Sequence, residues 1–304
     1  MGQVLNRRTF LGASLAFAGG LATSASAAHG ETESAAGGQS GGQRGRQTRL
    51  GLVTYNLAAD WDLDALIRRC REVGLSAVEF RTTHKHGVEP SLSKEQRKEV
   101  RKKLEDSGLS AWSLGSVCEY HSPDPVVLAR NMEDSRRFVE LAADIGAKGV
   151  KVRPNGLPKE VSEDKTLEQI GKSLHAVGEM AAAAGVEIWC EMHGSGTAEP
   201  SRMRRIMDVA DHPKVGVTWN SNGVDVKNGS VKESFELMKG KIYCVHINDL
   251  VGGYPYRELF SLLNQAGYDR SALIECPALK SGNADDTVRF LKYYKALWEE
   301  WSKT

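Results

Sequence analysis

The sequence predicts an α/β protein, a single (β/α)8 TIM barrel preceded by a signal peptide and a flexible linker. Eight short β-rich runs alternate with longer amphipathic stretches from Leu50 to the end of the chain. This part is about 255 residues long, close to the length typical of the fold. A doubly wound sheet is the alternative, but no Gly-x-Gly-x-x-Gly motif follows the first run.

The composition is that of a soluble globular protein. Apolar residues make up 40% of the 304 positions and charged residues 26%, which excludes collagen-like, disordered and multi-span membrane proteins. Lysine and arginine number 40 and aspartate and glutamate 39, so the net charge of +1 gives no global attraction to nucleic acid or anionic membranes. Five cysteines are too few, and odd in number, for a disulfide scaffold.

Residues 1–27 are predicted to be a signal peptide. Arg7 and Arg8 precede Phe10, a weakly apolar stretch follows, and Ala25-Ser26-Ala27 forms a small-residue cleavage site. The paired arginines resemble a twin-arginine export signal. We therefore expect the twin-arginine machinery to export the protein to the periplasm or beyond, with no stable membrane insertion after processing.

Residues 28–48 are rich in Gly, Ser, Gln and Glu, and this composition indicates a flexible linker. The barrel is predicted over residues 49–304. Its helices show apolar spacing of the i, i+3, i+4, i+7 type, as in Leu63, Leu66, Ile67 and Cys70. Several end on a glycine just before the next strand, because glycine adopts the left-handed conformation that closes a helix. The predicted strands are Leu50–Tyr55, Ala77–Phe80, Ser110–Leu114, Gly149–Arg153, Val186–Glu191, Val215–Asn220, Ile242–Ile247 and Ala272–Glu275.

Four polar residues end the last four predicted strands. Glu191, Asn220, His246 and Glu275 are separated by 29, 26 and 29 residues, about the length of one strand–helix unit. In parallel barrels the carboxyl ends of the strands carry the active site. Carboxylates, an amide oxygen and an imidazole suit a divalent cation such as Mn²⁺, Mg²⁺ or Zn²⁺.

Three short segments carry a resemblance to a known family. Residues 189–194 (WCEMHG), 245–249 (VHIND) and 273–275 (LIE) resemble motifs of the sugar phosphate isomerase/epimerase superfamily with the xylose isomerase-like barrel, which also contains endonuclease IV. The resemblance implies metal ligands at Glu191, Asn220, His246 and Glu275, with Glu191 and Glu275 also acting as acid–base groups. The family usually has Asp where this chain has Asn220, which predicts a lower metal affinity.

Neighbouring polar residues are candidates for binding substrate. His193 shares a strand face with Glu191, and Lys151 and Arg153 share a face at the end of the fourth strand. His84 and His86 follow the second strand, where many members of the family place a histidine that contacts substrate. Packed or solvated side chains are the alternative at each position.

Several residues are assigned supporting or packing roles. Asp249 is predicted to bind the ring of His246 and orient it, because imidazoles that bind metals usually have such a partner. Cys190 and Cys276 are predicted to be inert buried thiols, facing away from their polar neighbours. The tryptophans at positions 112, 189 and 219 are predicted to pack in the core.

The leading functional prediction is a metal-dependent sugar isomerase or epimerase that removes a proton next to a carbonyl group. Alternatives are a lyase that cleaves 3-keto-glycosides after the same proton removal, and a non-catalytic sugar-binding barrel. A nuclease is disfavoured because the neutral charge and the missing extra His and Asp ligands do not suit a trinuclear zinc site. We expect a small carbohydrate as partner, no nucleic acid, and possible assembly into a homo-oligomer.

Overall fold

Eight parallel strands form a closed barrel in the computed structural model, which describes residues 48–303. Each strand pairs with the next in the chain, and β8 pairs with β1. The predicted (β/α)8 barrel is therefore confirmed. The strands are β1 (Arg49–Val53), β2 (Ala77–Arg81), β3 (Ser110–Glu119), β4 (Gly149–Arg153), β5 (Glu187–Glu191), β6 (Val215–Trp219), β7 (Ile242–Ile247) and β8 (Ser271–Ile274). The predicted signal peptide and all but the last residue of the predicted linker lie outside the described residues.

A helix follows each strand and covers the outside of the barrel. The helices are α1 (Leu63–Val73), α2 (Lys94–Ser107), α3 (Pro125–Ile145), α4 (Glu163–Ala183), α5 (Pro200–Ala210), α6 (Lys232–Met238), α7 (Tyr256–Gln265) and α8 (Ala284–Trp301). None of these helices in residues 48–303 is long and apolar enough to cross a membrane.

Local sequence signals set the ends of the first helices. The side chain of Asp62 caps α1, and Ser93 forms a reciprocal capping box with Gln96 at the start of α2. Gly74 and Gly108 close the same two helices in the left-handed conformation. These residues set where α1 and α2 begin and end, and both helices end on a glycine as the sequence predicts.

The core has two parts. The larger part lies between the strands and the surrounding helices, and it includes Cys190 and Cys276, as predicted. The smaller part fills the inside of the barrel with Val53, Ala77, Trp112, Trp189, Cys244 and Leu273. Trp189 and Glu191 share the inward face of β5, so the indole lies below the carboxylate that ends the strand.

Strand β3 is longer than the sequence predicts. It continues past Leu114 to Glu119, where Glu119 pairs with Arg153 of β4 after an irregularity in the register. The strand crosses Gly115 and Ser116, which have low strand preference, so the sequence pattern predicts an earlier end. The extension brings a carboxylate to the same end of the barrel as Arg153.

Candidate active site at the carboxyl end of the barrel

A cavity of about 310 Å³ opens where the carboxyl ends of the strands meet. It is lined by Tyr55, Asn56, Arg81, Lys151, Arg153, Glu191, His193, Asn220, Asn222, Asn248, Glu275 and Pro277. Three cations and two carboxylates are among these side chains. Functional sites of (β/α)8 barrels lie at this end of the strands, so the cavity is the candidate site.

Three of the four predicted metal ligands converge on one point. The Nδ1 atom of His246 lies 3.2 Å from Oε2 of Glu275 and 3.6 Å from Oε1 of Glu191. One donor atom from each residue lies within 4.8 Å of the other two. Strands β5, β7 and β8 thus bring together residues that are far apart in the chain.

Asn220, the fourth predicted ligand, directly follows β6 and lines the same cavity. Its Oδ1 atom is buried and has no hydrogen-bond partner among the described residues. A buried carbonyl oxygen without a donor is unfavourable unless another group, such as a cation, satisfies it. Together with the convergent carboxylates and imidazole, this oxygen makes a donor set that fits a divalent cation.

The second nitrogen of the His246 ring faces a residue that sequence reasoning missed. Nε2 lies 3.3 Å from Oε2 of Glu79, which also accepts a hydrogen bond of 2.6 Å from the hydroxyl of Ser113. Asp249, predicted for this supporting role, is instead exposed and accepts a hydrogen bond from the backbone N–H of Val251. The carboxylate behind His246 therefore comes from the opposite side of the barrel.

Gly115 makes room for Glu79. A Cβ atom at position 115 would lie 2.9 Å from Oε1 of Glu79 and 3.3 Å from the side chain of Arg81. Any larger residue would push one of these side chains out of place. The sequence signal for the site is thus a charged residue within the apolar run Ala77-Val78-Glu79-Phe80, which is in register with Ser113 of the next strand, two residues before Gly115.

Lys151 forms a buried ion pair with Glu191. Its Nζ atom lies 2.5 Å from Oε2 of Glu191, and the side chains are 4% and 3% exposed. Burial raises the pKa of Glu191, but the Lys151 ammonium and the His246 imidazole outweigh it and hold the pKa well below its ordinary value. Lys151 thus occupies one oxygen of Glu191 and leaves Oε1 facing His246.

His246 is completely buried among carboxylates. Burial alone lowers the pKa of an imidazole, but Glu275 and Glu79 raise the pKa of His246 well above its ordinary value. The ring is therefore charged when no cation occupies the site. A cation bound at Nδ1 would displace that proton, which makes cation binding weaker as pH falls.

A chain of hydrogen bonds links the other predicted substrate-binding residues. Arg153 donates to Glu119 at 2.8 Å, and Asn155 donates to the same carboxylate at 2.6 Å. The Oδ1 atom of Asn155 lies 2.9 Å from Nδ1 of His193. Gly194 permits this contact, because a Cβ there would lie 2.5 Å from the Asn155 backbone. Arg153 and His193 both line the cavity.

The structure places the two histidines after β2 outside the cavity lining. Nε2 of His86 donates to the Arg81 carbonyl and Nδ1 accepts from the Val88 N–H, each at 3.0 Å. Burial lowers the pKa of His86 to about 4, so the ring is neutral. His84 bonds to Thr54 at 2.9 Å and stacks on Tyr55. Both rings order the loop that carries them, and substrate contacts of His84 and His86 stay a prediction.

A buried acid supports the loop after β6. Oδ2 of Asp225 accepts hydrogen bonds from the Asn222 N–H at 2.7 Å and from the Tyr254 hydroxyl at 3.1 Å. Tyr254 in turn accepts from the indole N–H of Trp219. The side chain of Asn222 donates to the carbonyl of Met192 at 2.6 Å, so the loop is tied to β5 as well.

The fold and the site define a (β/α)8-barrel protein whose polar side chains gather at the carboxyl ends of the strands. The chain belongs to the xylose isomerase-like TIM barrel family, whose profile matches residues 67–294. The resemblance predicted from the strand-end motifs is confirmed at the level of the family.

Named relatives share the fold at low sequence identity. A ketose 3-epimerase from Arthrobacter globiformis is 22% identical over 250 residues, which cover 77% of this chain and 84% of that protein. The structure of an L-ribulose 3-epimerase matches with a TM-score of 0.72 and 18% identity, covering 84% of this chain and 95% of that one. The structure of the IOLI protein with a zinc atom matches with a TM-score of 0.71 and 16% identity, covering 84% and 99%.

Proposed function

We propose that this protein is a metal-dependent epimerase or isomerase that acts on a monosaccharide or a derivative of one. The observation that carries the proposal is the convergence of donor atoms of Glu191, His246 and Glu275 within 4.8 Å of one another, beside a cavity of about 310 Å³ that the two glutamates line. The named activities of the ketose and L-ribulose 3-epimerases support the reaction class. The zinc atom of the IOLI structure supports the binding of a metal.

Glu191, Asn220, His246 and Glu275 would hold the cation. When bound, a divalent cation supplies polarisation of the substrate carbonyl and stabilises negative charge on its oxygen. The imidazole of His246 would be held in orientation by Glu79, and Glu191 by Lys151. This arrangement fixes the ligands before substrate enters.

Glu275 is the proposed proton acceptor. Its side chain is 17% exposed at the cavity, whereas the carboxylate of Glu191 is buried and bound by Lys151, which makes Glu191 the weaker base. Glu275 takes the proton from the carbon next to the carbonyl, and the electron pair of that C–H bond forms the enediolate. For an isomerase, Glu275 returns this proton to the neighbouring carbon; for an epimerase, Glu275 releases it to solvent, and a solvent proton relayed by Glu191 or His193 adds to the opposite face of the same carbon.

Solvent hydrogen exchange tests the proposal directly. The full-length protein is loaded with Mn²⁺, Mg²⁺ or Zn²⁺, its metal content is measured, and a panel of aldoses and ketoses is incubated with it in D₂O. We expect deuterium at the carbon next to the carbonyl, no exchange with E275Q, and unchanged exchange with the control E99Q on the exposed face of α2. Exchange that survives in E275Q would contradict the assigned base.

The same experiment separates the alternatives. If 3-keto-glycosides are cleaved while simple sugars do not exchange, the reaction is an elimination. Removal of the proton from C2, next to the carbonyl carbon C3, then expels the aglycone from C1. If sugars bind but no proton exchanges with any metal, the protein is a binding barrel. Either result replaces the epimerase assignment.

We also propose that residues 1–27 direct export through the twin-arginine machinery. The support is the Arg7-Arg8 pair followed by the apolar stretch and the small-residue site. Replacing both arginines with lysine keeps the charge and should leave the precursor in the cytoplasm. An unchanged yield of processed protein outside the cytoplasm would overturn the proposal.

A further inference from the structure

Arg81 ends β2 and lines the cavity without an acidic partner. One of its nitrogens donates to the carbonyl of Thr82 at 3.2 Å, and its guanidinium carbon lies 6.0 Å from the centre of the Tyr55 ring. Within residues 48–303 no carboxylate oxygen lies within 4.0 Å of this guanidinium. The remaining donors of the fork are therefore free to bind a ligand.

The other two cations of the cavity are already paired. Lys151 binds Glu191 at 2.5 Å and Arg153 binds Glu119 at 2.8 Å. A divalent cation among Glu191, His246 and Glu275 would offset the remaining carboxylate charge. With the cation bound, the positive charge of Arg81 is the charge that no carboxylate of the cavity balances. This excess positive charge favours an anionic ligand over a neutral one.

Arg81 lines the same cavity as the two proposed catalytic carboxylates, Glu191 and Glu275. Arg81 of β2, Gly115 of β3 and Lys151 of β4 are aligned, and neighbouring strands are about 4.8 Å apart. The space over Gly115 is taken up by Glu79 and by the Arg81 side chain, since a Cβ there would lie 2.9 Å from Oε1 of Glu79 and 3.3 Å from Cδ of Arg81. A ligand in the cavity that Arg81, Glu191 and Glu275 line together can touch both the guanidinium and the carboxylates.

We infer that the substrate is a monosaccharide that carries an anionic group, a carboxylate or a phosphate, and that Arg81 binds that group. The inference rests on the proposed function, which it narrows to a substrate class. The cavity of about 310 Å³ is at the lower end of ligand-pocket sizes, so it suits one sugar ring with its substituent. The planar fork of arginine matches both anions in a bidentate way.

Pairs of ligands that differ by one anionic group test this inference. Calorimetric titrations of the metal-loaded full-length protein compare D-glucuronate with D-glucose, D-galacturonate with D-galactose, and D-glucose 6-phosphate with D-glucose. We expect an acid or a phosphate to bind at least about tenfold more tightly than its neutral partner, the range of one charge-assisted hydrogen bond. A preference for the acids identifies a carboxylate substrate, and a preference for the phosphate identifies a phosphorylated one.

Variants assign the preference to Arg81. R81Q should bind the charged and the neutral ligand equally well, with its affinity for the neutral sugar unchanged. R81K should keep part of the preference for the charged ligand, and the surface control R130Q should keep all of this preference. Equal binding of charged and neutral partners, no binding of any charged ligand, or a preference that survives in R81Q overturns the inference. A loss of neutral-sugar binding in R81Q as well would show a structural role and also overturn it.

The outcomes separate this inference from the proposed function. Arg81-dependent binding of an acid without proton exchange means that the inference stands and the proposed reaction fails. Proton exchange on neutral sugars with no preference for their acids means that the reaction stands and the inference fails.

Discussion

His246 lies between Glu79 on one side of its ring and Glu275 on the other, at 3.3 Å and 3.2 Å. Glu79 lies in β2 and Glu275 directly follows β8, so both nitrogens of the imidazole face a carboxylate. Nε2 is held by Glu79, which leaves Nδ1 for a metal or a proton. Outer partners of this kind set the tautomer and basicity of histidines that bind metals.

Glu79→Gln should weaken metal binding by about 10- to 100-fold, the usual effect of removing such a partner. Glutamine keeps the size of the side chain but removes the charge that supports the ring. A competition titration of the purified protein against a fluorescent chelator measures the change. The matched control E99Q should leave the affinity unaltered, and equal affinity of E79Q and wild type would show that Glu79 does not act through His246.

Asn220→Asp should tighten metal binding, because a carboxylate replaces the neutral Oδ1 that now has no partner among the described residues. One additional charged ligand is expected to lower the dissociation constant at least about tenfold, since hydrogen-bonded or coordinated charges are stronger than neutral groups. Titration calorimetry with Mn²⁺ measures it. Asn228→Asp, in an exposed turn, is the control. A weaker site in N220D would place Asn220 outside the ligand set.

Lys151→Met should lower the free energy of unfolding by about 3–5 kcal/mol, because it leaves Glu191 as a buried charge without its partner. The double variant K151M/E191Q should recover much of this loss, since the unpaired carboxylate is then gone. Urea denaturation of the metal-free protein at neutral pH measures both. If the double variant is no more stable than K151M, the loss comes from packing and not from the ion pair.

Asp225 should make the stability of the protein fall as pH rises from about 4 to about 7. Burial raises the pKa of this carboxyl to about 7 in the folded protein, so the folded state holds a proton that the unfolded chain has released. The stability present below the unfolded pKa is therefore lost as pH approaches the folded pKa, by up to about 4 kcal/mol.

Asp225→Asn removes this titration while keeping the shape of the side chain. The stability of the variant relative to wild type should therefore rise by about 3 kcal/mol between pH 5 and pH 8, measured by urea denaturation at both values. The comparison at each pH isolates Asp225 from other titrating groups. A constant difference between the two proteins across the range would contradict the assignment.

The strand ends could be predicted from sequence because they depend on local pattern. The closed barrel is confirmed, and the structure brings donor atoms of Glu191, His246 and Glu275 within 4.8 Å of one another, with Glu191, Glu275 and Asn220 lining one cavity. Each of these residues ends or follows a strand, and a parallel barrel collects such positions at one end. No knowledge of cross-barrel contacts is needed for that step.

The supporting residues could not be predicted because their roles depend on partners across the barrel. Glu79 lies within β2 and faces His246 only because the ring of strands closes. The ion pair of Lys151 with Glu191 depends on the register between β4 and β5. The alternation of side chains along each strand predicts only that both residues face the inside of the barrel. The surroundings of His86 depend on the loop after β2 in the same way, because the loop folds back and backbone groups of Arg81 and Val88 bond to its ring.

The donors of the site come from β5, β6, β7 and β8, and the supporting acid comes from β2. The site therefore exists only after the last strand has paired with the first. A metal ion cannot nucleate folding of this chain from a local segment, and it stabilises only molecules whose ring is already complete. Metal binding would then distinguish molecules with a closed barrel from folding intermediates in which β8 has not yet paired with β1.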